Sequence, residues 1–181
     1  YPGASAIPES CAANVRGRSF KILADVEITD PNCSGVIFAH GSRFGGHALF
    51  IANKKLHYVY NFLGIPPEQK FVSGELKPGK YVLGMEFTRE SAGPNHESVG
   101  KTKLYVNDKV VAEGPMRAQV GKFTLSGDGL CIGYDSGDAV SSLYKTPGEF
   151  KGGTIKFVGV TTEKKQYLDL ETLAAGLFAK D

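Results

Sequence analysis

Residues 34–61 read SGVIFAHGSRFGGHALFIANKKLHYVYN, and the fold turns on how this stretch is read. Residues 36–39 are a short apolar run, the pattern of a strand buried on both faces, and residues 47–51 repeat it. Leu56, Tyr58, Tyr60 and Phe62 then alternate with His57, Val59 and Asn61, which is the two-residue period of a strand. Between the first two runs lies HGSRFGGH, where Gly41, Gly45 and Gly46 permit sharp bends. Three antiparallel strands joined by tight turns follow from this. The densest polar cluster of the stretch, His40, Ser42, Arg43 and His47, falls at a strand end and is the first candidate site.

The flanks read the same way. Phe20, Ile22, Ala24, Val26 and Ile28 alternate with Lys21, Leu23, Asp25 and Glu27, the signature of a half-buried strand. Tyr81, Leu83, Met85 and Phe87 repeat that pattern, and Asn107-Asp108 is a two-residue hairpin turn between two further strands. Short strands are expected at 70–75, 123–125, 130–133 and 153–160, with polar loops at 91–100 and 135–145. At the end Asp169 is a plausible N-cap, and Leu170, Leu173, Ala174, Leu177 and Phe178 recur at helical spacing, predicting one helix over about 169–180. Many short strands without alternating helices define an all-β, antiparallel jelly-roll sandwich, with a closed barrel as the alternative. Residues 1–18, broken by Pro2, Gly3 and Pro8, read as a linker or wrap from a preceding domain, and 19–181 as a single domain.

Charge narrows the partners. The 181 residues carry 21 Lys and Arg against 19 Asp and Glu, net +2, interspersed along the chain. Such a balance supplies no basic stripe, which argues against nucleic acid and anionic membranes. No apolar run approaches the roughly 20 residues that span a bilayer. The sequence opens at Tyr1 with no signal-like segment and reads as a piece of something longer. Cys11, Cys33 and Cys131 form no CxxC pair, and an odd count favours a reducing, cytoplasmic compartment, with a Cys11–Cys33 disulfide left open.

Few residues suggest chemistry. His40, Arg43 and His47 could bind an anion, because a guanidinium forks onto carboxylate or sulfate oxygens. Two histidines seven apart with no third ligand do not make a metal site. Asp135 and Asp138, in DSGD, resemble a short acidic calcium-type loop, but an Asx turn accounts for them more simply. Tyr58, Tyr60 and Phe62 could stack on sugars, yet aromatics at period two are expected in the core. No phosphate loop and no GxSxG is present. Glycoside hydrolysis needs two carboxylates in one cleft, and Glu75, Glu86 and Glu113 are the available ones.

Several stretches together carry a resemblance: GVIFAHGSRFGGHALF (35–50), LHYVYNFLG (56–64), KLYVNDKVVAEG (103–114), GDGLCIGYDSGDAV (127–140), FKGGTIKFVGV (150–160) and YLDLETLAAGLFAKD (167–181). In order and spacing they resemble the C-terminal region of bacterial, especially actinobacterial, arylsulfatases. The YVND hairpin and the GGTIK strand are also similar to concanavalin A-like and laminin-G-like sandwiches. The resemblance implies a non-catalytic accessory domain packed on an N-terminal sulfatase catalytic domain of the same polypeptide. That parent would carry a divalent metal, calcium by the resemblance, and a formylglycine made within C/S-x-P-S/T-R. No cysteine here sits in that motif, so no catalytic residue and no cofactor is carried over to this chain. The alternative is a lectin-like module that binds a glycan or a sulfated ligand.

Overall fold

The computed structural model describes residue 3, residues 5–120, residue 125 and residues 129–163. β1 (Phe20–Ile28) alternates as expected, with Phe20, Ile22, Ala24, Val26 and Ile28 buried and the residues between them half-exposed. The 34–61 stretch forms β2 (Gly35–Ser42), β3 (Gly45–Ala52) and β4 (Lys55–Asn61), paired in sequence order. The meander continues into β5 (Gln69–Glu75), and β9 (Leu130–Ile132) pairs with the other edge of β2. The first sheet therefore has the order β5-β4-β3-β2-β9. The second is built on β1: β6 (Gly79–Ala92), β7 (Ser98–Val106) and β8 (Lys109–Ala118) follow on one side, and β10 (Gly153–Thr162) lies on the other. All pairings are antiparallel, and two separate sheets make a sandwich rather than a barrel.

The core between the sheets holds Ile22, Phe38, Leu49, Tyr58, Tyr60, Met85, Phe87 and Leu104 among others. The period-two aromatics Tyr58, Tyr60 and Phe62 are core residues, as their spacing implies. β2, β3 and β4 are buried on their outer face too, where Val36, Ala39, Ala48, Phe50 and Val59 pack with Val140 and Tyr144. The segment after β9 lies over this face and makes a second, smaller core. That cover is why residues 36–39 and 48–51 are apolar without alternation.

One feature differs from the sequence reading. The polar stretch 91–100 is mostly strand: β6 and β7 form one long hairpin with only residues 93–97 between them. Gly100 permits the pairing, because a Cβ there would run into the carbonyl oxygen of Thr88. Ser98 and Glu97, polar in sequence, are buried. The early residues lie against the sandwich: Ile7 exchanges two 2.8 Å backbone hydrogen bonds with Leu130, and the Gly17 N–H donates to the Gln119 carbonyl at 3.2 Å. The expected helix over 169–180 lies outside the described residues, as does the 123–125 strand apart from Leu125, which is buried and not in a strand. All three cysteines are free thiols. Burial, with a smaller contribution from Asp30, pushes the Cys33 thiol up to about 11, which leaves it protonated and inert.

The sheets are clipped together along one seam by a side chain. The Gln69 amide donates to the carbonyl of Arg117 at 2.8 Å and accepts from its N–H at 2.8 Å, standing in for a strand across the gap from β5 to β8. Gln69→Ala should cost about 1–2 kcal/mol, the net worth of two hydrogen bonds. Urea unfolding reads this directly, and a loss under about 0.3 kcal/mol would mean that water replaces the clip fully.

Candidate functional site

Strand alternation divides the polar cluster of the β2–β3 hairpin. His40 and His47 are cross-strand partners whose rings face inward, 5.8 Å apart between centroids. His47 meets Phe38 and Phe20 edge-on at 5.1 and 5.5 Å, and its Nδ1 lies 3.1 Å from the Tyr58 hydroxyl. Burial drives the His40 imidazole down to about 4, with nearby Glu9 opposing and Arg16 reinforcing the shift. His47 is lowered further, again by burial and then by His40. Both are neutral and sealed from solvent at pH 7, so neither can meet a solvent-borne anion. Ser42 is buried as well, and its hydroxyl accepts from the Phe44 N–H at 3.1 Å to fasten the turn.

Arg43, at the tip of the turn, points outward. Its side chain is 61% exposed, lies 3.6 Å from the Asp138 carboxylate and covers the Phe44 ring at 4.8 Å. The two candidate stretches, HGSRFGGH and DSGD, therefore meet through Arg43 and Asp138. Asp135 goes the other way: it is buried and accepts from the Tyr144 hydroxyl and from the Val140 N–H at 3.2 Å. The Tyr144 phenol is pushed up by its burial and by this carboxylate, which fixes it as a donor. With one aspartate inside and the other paired with arginine, the pair does not converge on a cation. Among the described residues, no group of three His, Cys, Asp or Glu side chains is placed to hold a metal.

Beside the Arg43–Asp138 pair opens a cleft of about 530 Å³, walled also by Glu68, Ser141, Ser142, Tyr144 and Lys145. Glu68 organises its floor. One oxygen accepts from the Ser142 N–H at 2.9 Å, and the other accepts from the Ser141 hydroxyl at 2.8 Å and lies 3.2 Å from Lys70 Nζ. Burial alone would raise this carboxyl, but these donors outweigh it and lower its pKa. A second cleft of about 430 Å³ lies on the far side of Tyr144, between the β3–β4 turn and residues 143–151. Sequence reading missed Glu68, Ser141, Ser142 and Lys145, because only the covering segment brings residue 68 and residues 138–145 together.

Two carboxylates, Glu68 and Asp138, line this cleft. A general acid must hold its proton near neutral pH, and Glu68 is tuned the opposite way. Glu86 and Glu113 stand on the outer face of the second sheet, each opposite Lys103, and Glu75 ends β5. None of the three lines the cleft. The outer face of the second sheet also carries exposed Val82, Val110 and Phe157, with Lys21 lying 5.1 Å over the Tyr105 ring.

No known family profile and no curated protein matches this sequence. Solved structures do match its shape. The mouse laminin α1 chain, domains LG4-5, superposes with a TM-score of 0.56 at 14% identity over 91% of this chain, which spans 41% of the laminin chain. The CBM40 of the Ruminococcus gnavus IT-sialidase superposes at 0.53 with 13% identity, covering 88% of this chain and 83% of that one. The same module bound to α2,3-sialyllactose gives 0.51 at 13% identity and the same coverage. The described residues thus form a β-sandwich of the concanavalin A-like, laminin-G-like kind. None of the structures named here is a sulfatase.

Proposed function

We propose that this chain is a carbohydrate-binding module and that its glycan lies in the cleft walled by Arg43, Glu68, Asp138 and Ser142. The observation that carries this reading is the cleft itself, a concave site rimmed by donors and acceptors on a sandwich shaped like a glycan-binding module. Sugar hydroxyls donate and accept at once, so a carboxylate and a guanidinium side by side suit a vicinal diol. The arginine fork equally suits a sugar carboxylate or sulfate. The depressed Glu68 supports binding over cleavage.

The test is a glycan array probed with the whole chain, with and without calcium. Arg43→Ala should weaken binding to any bound glycan roughly tenfold to hundredfold, the worth of a lost charged hydrogen bond of about 1.5–3 kcal/mol. A blank array, or binding indifferent to Arg43, would overturn the reading. A second role, packing beside a sulfatase catalytic domain through the HGSRFGGH turn, is supported by the sequence resemblance alone. An open frame upstream of Tyr1 that encodes C/S-x-P-S/T-R would bring it to the front.

A further inference from the structure

We propose that the glycan carries an N-acyl group, received on an apolar ledge made by Phe44 and Ile65 beside the cleft. This rests on the carbohydrate reading above and narrows it to a ligand class.

Phe44 is 57% exposed and Ile65 47% exposed, large apolar side chains left in water, with Phe44 directly under the Arg43 guanidinium. Neither dangles. The Phe44 N–H is tied to the Ser42 hydroxyl at 3.1 Å, and the Ile65 N–H to the Phe62 carbonyl at 2.9 Å. Gly64, at φ 71° and bonded through its N–H to Asn61 Oδ1 at 3.1 Å, brings the two loops together. A Cβ on Gly64 would lie 3.2 Å from the Arg43 carbonyl oxygen and 3.5 Å from the Phe44 ring. The left-handed φ of Gly64 and this close approach both favour a residue without a side chain here. Arg43 joins ledge to cleft, since one guanidinium covers the Phe44 ring at 4.8 Å and reaches Asp138 at 3.6 Å.

Size decides what the ledge receives. Two side chains fall far short of the roughly 800 Å² that each partner buries in a stable protein interface. They match a methyl-sized group, which gains from leaving water, whereas a bare hydroxyl gains nothing there. An acylamino substituent offers both halves: a methyl for Phe44 and Ile65, and an amide beside Arg43 and Asp138.

Calorimetry on the whole chain would compare N-acetyllactosamine with lactose and chitobiose with cellobiose, pairs that differ in acetamido against hydroxyl. The N-acetyl member should bind about tenfold tighter or more, and Phe44→Ser or Ile65→Ser should erase that preference while moving the plain sugar less than about twofold. Equal affinity within both pairs, no N-acetyl member bound, or a preference that survives both substitutions would overturn the ledge. A glycan array that still shows Arg43-dependent binding would then leave the carbohydrate reading standing, whereas a blank array removes both. Phe44-dependent co-sedimentation with phosphatidylcholine vesicles would also overturn the proposal, by making the ledge a lipid contact.

Discussion

Phe50→Ala should destabilise the sandwich by about 3–5 kcal/mol, whereas Phe44→Ala, six residues earlier in the chain, should change stability by less than about 0.5 kcal/mol. Phe50 is fully buried on the outer face of the first sheet. It stacks on His57 at 5.1 Å with the rings 6° from parallel, and Tyr144 closes on it edge-first at 4.9 Å. Truncation empties the centre of the second core and unseats Tyr144, which walls both clefts. Glycan affinity should therefore fall along with stability. Urea unfolding with an unchanged m-value is the measurement. A loss under about 1 kcal/mol would mean that the cover merely rests on the sheet and is not packed into it.

Acid should unfold this protein earlier than its surface charge implies. The His40 imidazole is held down at about 4 in the fold against 6.5 when free. Between those values the unfolded chain binds the extra proton, so stability rises with pH there. The contribution is complete above 6.5 and is lost as pH falls toward 4. It amounts to about 3 kcal/mol from His40, at about 1.4 kcal/mol per pH unit, and His47 acts in the same sense. Glu68, depressed in the fold, gives way in the same direction at lower pH. Denaturant midpoints at pH 7.5, 5.5 and 4.5 should fall steadily, and His40→Gln should flatten that slope even though it lowers the starting value. A wild-type midpoint that holds level down to pH 4.5 would show the imidazoles charged and accommodated inside the fold.

What could be read from the sequence divides along physical lines. β1 and the three strands of 34–61 were readable because burial repeats with their own period, and a local pattern needs no knowledge of partners. The same rule misled at 91–100, where polar residues on a long, largely solvent-facing hairpin look like a loop. In the candidate site, Arg43 and Asp138 stood out because each lies in an unusual turn, and the fold brings them together. His40 and His47 stood out equally. Their inward direction depends on which face of β2 and β3 meets the core, and both faces are apolar in sequence. Glu68 gave no signal at all, since its partners Ser141 and Ser142 reach it only once the covering segment is laid down.

The strand order also implies a history. β2 to β5 and β6 to β8 are meanders, each strand pairing with the next in sequence, so both can form from nearby residues. β1 is different: Phe20 must find Phe87 on one side and Thr162 on the other. Closing such long loops carries an entropic cost before any contact rewards it, and topologies of this kind fold slowly. On a ribosome the difference sharpens, because β1 emerges ahead of the other strands of this sandwich and stays without its outer neighbour until β10 is made. Until β10 is made, then, the strand that leads this sandwich is the one left waiting, its apolar face of Phe20, Ile22, Val26 and Ile28 without a finished sheet around it.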